Sequence, residues 1–394
     1  MHEIVTNGFL FPNDLHAHWS IMIVLYPYIT GLVAGAFIVS SLYHVFGVKE
    51  LKPVARFSLV AAFAFLMFAC TPLLFHLGHP ERALNIMFTP KFTSAMSGFG
   101  YIYNFYLIIV LLEIWFVYRP EIIRRARETK GPLKALYWCL ALGSLNDNEA
   151  ALALDHKIIN VLAAIGIPSA CILHGYVGFL FGSLKSNPWW SSPLMPVIFL
   201  LSAIVSGISI LIVTYWLICR FSSLKLDTEC LKSMFKYLWA FFILDFAMEG
   251  LELLTHIYEA HEEWHIVSLM LSNRLGFSFY ALQLGICSVI PLIVLGFVVL
   301  KKMQDSTRIK LGLTCAALIL IQVLAMRWNV IVGGQLFSKS LRGLTSYTPT
   351  LLGREGLLVA AVLFMMPFVV MYVFNLILPL FDKDSETEQP AATE

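Results

Sequence analysis

Charge is scarce in this sequence. Only 13% of its 394 residues are Asp, Glu, Lys or Arg, 59% are apolar, and mean hydropathy is +0.78, a balance that excludes a soluble globular domain of this size. Paired cysteine is missing as well. Seven Cys stand singly at 70, 139, 171, 219, 230, 287 and 315 with no CxxC, so neither a disulfide framework nor an iron–sulfur cluster is expected within the chain. The net charge of +2 offers nothing to nucleic acid. Met1 to Ser20 lacks a basic n-region and a cleavage pattern, so no removable signal peptide is predicted.

Long apolar runs are what the sequence does have. Each is roughly 20 residues or more, enough to cross a hydrocarbon core as helix, and none shows the alternation of barrel strands. The chain is therefore predicted to be an all-α integral membrane protein with about nine transmembrane helices. They fall near Ile21–Val45, Phe57–Leu77, Ser97–Val117, Ile158–Ser183, Leu194–Cys219, Leu238–His256, Phe277–Leu300, Leu311–Val332 and Leu357–Leu380. Lys and Arg concentrate in alternate connections (Lys49, Lys52, Arg56; then Arg119 to Lys134; then Arg220 to Lys236; then Lys301 to Lys310). The positive-inside rule then places the N-terminus outside and the C-terminus in the cytoplasm. The acidic tail 382–394 is expected to be disordered.

Ionisable groups inside these spans mark function, because each costs roughly 2.5–3.5 kcal/mol at the membrane centre. The sixth span is densest: Asp245, Glu249, Glu252 and His256 follow one another by four, three and four residues. At about 100° per residue they share an arc of about 60° and run roughly 16 Å along the helix, the length and direction of a proton path. Nine of the eleven histidines fall on the same outer side, all but His44 and His156. His174, Tyr176 and Arg327 lie toward that side too, with Arg327 placed to neutralise the stripe or to set its proton affinity. Glu113 lies toward the cytoplasm, either extending a proton route inward or snorkelling. Three readings use these residues and stay open: quinone chemistry, which moves protons with electrons; a secondary transporter built on the stripe; and a b-type cytochrome anchor using His76, His174 and His256. A purely structural anchor is a further alternative.

Several segments together resemble the NrfD/PsrC family of membrane subunits, of the longer type found with hydrogenases and menaquinone reductase complexes. They are His174-Gly-Tyr176-Val-Gly-Phe-Leu-Phe-Gly-Ser183 with Asn187-Pro-Trp-Trp190 and Pro193; Leu77-Gly-His-Pro-Glu-Arg-Ala83; and Met326-Arg-Trp-Asn329. The resemblance runs from about residue 10 to 380. It implies two consecutive four-helix bundles (21–183 and 194–332), an added ninth helix (357–380), an extracytoplasmic segment 1–20 and a cytoplasmic tail 382–394. It also implies a bacterial or archaeal cytoplasmic membrane, no haem, and bound menaquinone or ubiquinone. Electrons would pass between quinone and an extracytoplasmic ferredoxin-like iron–sulfur subunit, which serves a molybdopterin enzyme, hydrogenase or multihaem cytochrome; the chain alone would not be catalytic. The quinone in polysulfide reductase is held by a Tyr of the fourth helix and by a His and an Asn of the first. Tyr176 matches the Tyr, while the His and Asn positions fall at Tyr26 and Ile23, a departure from the pattern. The resemblance thus points to Tyr176 on one carbonyl and Tyr26 or His18 on the other, with His174 and His16 nearby.

Overall fold

The computed structural model describes residues 17–381 apart from Phe92, Ser223, Ala260 and Lys339. His16, most of the predicted N-terminal segment and the acidic tail lie outside the described residues. Among the described residues thirteen α-helices follow in order: α1 Ile21–His44, α2 Lys52–Ala69, α3 Thr71–His76, α4 Asn85–Phe88, α5 Ala95–Glu128, α6 Pro132–Leu140, α7 Glu149–Gly182, α8 Met195–Phe221, α9 Thr228–Glu259, α10 Trp264–Asn273, α11 Ile290–Leu300, α12 Asp305–Ile331 and α13 Leu357–Ile377. Gly276–Val289, ahead of α11, is wound as a wider π-helix, and the two form one span. Among the described residues, extended pairing is limited to one bridge, Phe337 with Leu344.

Eight helical segments among the described residues are long and apolar enough to cross a membrane. The sixth predicted span, within α9, is the one not among them: the helix is 32 residues long but falls short on composition because of its carboxylates and lysines. Several helices overrun their predicted limits: α5 continues to Glu128, and α7 begins at Glu149, where the Asn148 side chain caps it by accepting from Ala151 N. These polar helical ends project past the apolar run that defined the prediction. They also bring together an ion pair invisible in sequence, Arg119 with Asp155 at 2.6 Å, buried where α5 meets α7.

Helix α1 is apolar on all sides because it is surrounded on all sides, by α2, α7, α8 and α12. Its span is 89% buried, against 22% for the still more apolar α13, which packs on α2 at the periphery. Small residues fix the centre. Gly31 and Gly35 on α1 face Ala203 and Gly207 on α8, and a Cβ at Gly35 would stand 2.6 Å from Gly207 Cα. The two backbones therefore touch, the arrangement that lets membrane helices gain dispersion without a hydrophobic drive. Around this seam, α5 packs on α7, α9 and α12 pack on the other side of α8, and α11 packs on α9 and α12.

The face from which α1 starts is tied down by loops. Trp19 N donates to Gln335 Oε1 (2.9 Å) and Ile21 N to Tyr347 Oη (3.1 Å). Glu355, in the loop before α13, meets His76 Nδ1 at 2.8 Å. Burial pushes the Glu355 carboxyl up, but hydrogen bonds from Ser20 and His76 outweigh it and hold the group below the ordinary carboxylate range. A carboxyl depressed in this way stabilises the docked loop above its unfolded-state value, and that contribution disappears as pH falls through the folded value. Hydrogen exchange at 350–356, corrected for intrinsic rate, should therefore rise as the pH falls below the ordinary carboxylate range. In Glu355→Gln it should be raised already at neutral pH.

Candidate functional site

The stripe on α9 divides in two. Glu249, Glu252 and His256 line a cavity of about 300 Å³ between α9, α8, α12 and the π-wound stretch, with Trp189, Phe279 and Gln283 among its walls. Asp245 is fully buried one turn deeper, and neither of its oxygens has a partner among the described residues.

Each cavity carboxylate is held by neutral donors. Gln283 Nε2 donates to Glu249 Oε2 (3.0 Å) and Gln322 Nε2 to its other oxygen (2.9 Å). Gln283 is itself oriented by Asn329, whose Nδ2 donates to Gln283 Oε1 (2.8 Å) while Ser278 donates to Asn329 Oδ1 (2.7 Å). One turn along α9, the Ser192 hydroxyl donates to Glu252 Oε2 (2.6 Å), and His256 Nε2 meets Glu252 Oε1 at 3.1 Å. His256 stacks nearly parallel on Trp264 at 6.3 Å and, inclined by 29°, on Trp189 at 5.9 Å. Glu249, Glu252 and His256 thus follow one another along one cavity from the middle of α9 toward its exposed end, with Glu252 and His256 joined directly.

Wide winding explains how Gln283 reaches in. An i→i+5 turn holds one more residue than an α turn, which changes the angular spacing of the side chains, and Ser288 Oγ donates to Gln283 O five residues back (2.8 Å). Gln283 and Gln322 were both present in predicted spans, but amides carry no charge and so escape a search for ionisable residues.

Arg327 does not touch the stripe. Its guanidinium lies 3.7 Å from the Phe199 ring centre and donates to Ser202 Oγ (2.7 Å) and Phe199 O (3.2 Å). Among the described residues no carboxylate comes within ion-pair distance. Asp245, Glu249 and Tyr26 lie within its electrostatic reach.

The residues expected to hold a quinone are not gathered in one place. Tyr176 Oη donates to Ala95 O (2.8 Å) at a groove of about 250 Å³, which includes Lys91, Ser97 and Tyr101. Gly98 makes room for it, since a Cβ there would collide with the hydroxyl. Tyr26, His174 and His18 are not in that groove's lining. Tyr26 and His174 are buried, with Tyr26 Oη and His174 Nε2 lacking partners among the described residues, whereas His18 is exposed just ahead of α1. Glu113 is completely buried with both oxygens unpartnered among the described residues, so it does not snorkel.

The Asn187-Pro-Trp-Trp190 segment has a structural task that sequence did not reveal. Trp189 Nε1 donates to Asn329 O (3.0 Å), Trp190 Nε1 to Val330 O (2.7 Å) and Asn187 Nδ2 to Gly334 O (2.8 Å). The last carbonyls of α12, orphaned by the helix end, are thus satisfied by indole donors. This fastening sets the depth of Asn329, and through it of Gln283.

These segments lie within the stretch over which the chain matches a known family. The family described as "Polysulphide reductase, NrfD" matches residues 12–339. The chain is similar to a selenate reductase subunit of Mesobacillus selenatarsenatis, 29% identical over 95% of this chain and 88% of that protein. It is also similar to protein NrfD of Escherichia coli, 23% identical over 81% of this chain and 95% of that one. A polysulfide reductase chain of Wolinella succinogenes is 26% identical over 50% of this chain and 57% of that protein. The match runs from ahead of α1 through the indole-fastened end of α12, and this multi-pass membrane protein belongs to the NrfD polysulphide reductase family.

Proposed function

We propose that this chain is the quinone-interacting membrane subunit of a respiratory oxidoreductase complex. It exchanges electrons between a menaquinone or ubiquinone pool and a ferredoxin-like iron–sulfur subunit on the extracytoplasmic face, which serves a further catalytic subunit. The observation that carries this reading is the line Glu249, Glu252, His256: carboxylates kept inside a membrane, held by neutral donors and ending at the surface through an imidazole. Such groups are costly there and persist where protons must move. The names of the relatives, a selenate reductase subunit and a polysulfide reductase chain, support membership of a reductase complex.

A quinol supplies two electrons and two protons on becoming a quinone, and takes both up on return. Glu249 and Glu252 accept and return the protons, Ser192 and the two glutamines fix where they sit, and His256 passes them to the N-terminal face of α1. That face is the outer one, because the opposite connections carry the excess of Lys and Arg. Glu113 and Tyr106, seven residues apart on one side of α5, extend the same service inward. Helices α1, α2, α5 and α7 form the first four-helix unit, and α8, α9, the π-wound span and α12 the second.

Tyr176 presents the hydroxyl for a quinone carbonyl in the first unit. The residues expected at the second carbonyl, Tyr26 and His18, do not line the Tyr176 groove. In Tyr176→Phe the affinity for a quinol analogue should fall about fivefold, the worth of one hydrogen bond. Equilibrium binding to the purified complex measures this, and the preparation should contain an iron–sulfur subunit. Unchanged affinity would move the carbonyl ligand elsewhere.

A further inference from the structure

The outer half of the second unit is not closed. Helix α9 packs against α8 and, in its inner half, against α11, where Trp239 Nε1 donates to Leu292 O (3.0 Å). It makes no comparable packing with Gly276–Val289, and the gap between the two is crossed by the Gln283–Glu249 hydrogen bond. The cavity of about 300 Å³ sits in this gap. Its rim includes Gly250, where an added Cβ would meet nothing within 4 Å, and Leu254, which is 62% exposed within the stretch Leu238–His256 that the sequence predicts to span the membrane. The opening therefore faces the bilayer sideways.

We propose that this cavity is a second binding site for the head ring of a lipid-borne quinone, entered laterally past Gly250 and distinct from the Tyr176 groove. The inference rests on the quinone-handling reading above. Its volume lies at the low end of ligand pockets, and its composition, apolar walls with a few convergent polar groups, is theirs as well. Trp189 and Phe279 offer flat faces. Gln283 has a second N–H beyond the one given to Glu249, a donor for a carbonyl oxygen. An acyl chain would leave the free Gln283 N–H without an acceptor, whereas a quinone carbonyl accepts from it and, in the reduced ring, the hydroxyls donate to Glu249 and Glu252.

The test uses a photoreactive azido-naphthoquinone with a short prenyl tail, irradiated with the intact complex in lipid nanodiscs and followed by peptide mapping. Label is expected on 246–256 or 276–289, reduced at least tenfold by Gly250→Trp and by excess unlabelled naphthoquinone. Val369→Trp, a similar enlargement on the lipid-facing side of α13, should leave it unchanged. Label confined to 91–101 and 176–179, indifferent to Gly250→Trp, overturns the second site and leaves the quinone reading standing. No protectable label anywhere on the chain overturns both.

Discussion

Replacing Gly207 by leucine should prevent the two halves of the chain from meeting. A Cβ at Gly207 would stand 2.5 Å from Gly35 Cα and 2.7 Å from Leu32 O, so the obstacle is backbone on both counts and no rotamer change removes it. Overpacking in a well-filled interior costs about 1–3 kcal/mol where side chains can yield. Here α1 and α8 must separate along their shared length, releasing the contacts that surround α1. Gly207→Leu should therefore be recovered in detergent at a small fraction of the wild-type yield, with a strongly lowered midpoint in thermal unfolding. Gly47→Leu serves as the contrast: it sits in a turn at φ +68° with nothing near its Cβ, so it strains one turn and leaves the seam intact. Wild-type yield and midpoint in Gly207→Leu would mean that the seam is not a close backbone contact.

Glu252→Gln and Glu249→Gln should each slow quinone-linked turnover by at least about tenfold, since removing a positioned proton carrier typically forfeits 10²–10⁴. Both changes are sterically mild. At Glu252 an amide oxygen can still accept from Ser192. At Glu249 the new amide needs an acceptor in place of one donor, and Gln322 Oε1, unpartnered in the present arrangement, provides it by rotating the Gln322 amide. The complex should consequently assemble normally, and partner retention on purification separates a proton defect from a folding defect. The rate of electron transfer from a quinol analogue, compared across pH, is the measurement. Full turnover in both single variants would remove the relay from the mechanism.

Much of the architecture was legible because a membrane punishes exposed backbone and rewards apolar length, and nearly every long apolar run became a helix. What hydropathy did not convey was rank. Helices α1 and α13 read alike, yet one is the centre and the other the rim, because lipid is as apolar as a protein core. The signal for centrality was in the sequence, in Gly31, Gly35, Ala203 and Gly207, and it is one of side-chain size. At the site, the spacing of Asp245, Glu249, Glu252 and His256 announced the stripe, and three of the four converge on one cavity. Their partners stayed hidden. Gln283 and Gln322 are neutral, and Gln283 depends on a winding that no periodicity argument anticipates. The pairing expected of Arg327 was replaced by Phe199 and Ser202, since a guanidinium that finds an aromatic face and an accepting hydroxyl needs no carboxylate.

The π-winding of Gly276–Val289 makes chain length, more than residue identity, the sensitive variable in this span. Removing one residue from it would let the segment rewind as α-helix, swinging Gln283 by about 100° off the line between Asn329 and Glu249. A conservative exchange of one lipid-facing residue leaves that line in place. In the gene, an in-frame loss of a single codon here would be silent to hydropathy and ruinous to the amide that bridges two helices.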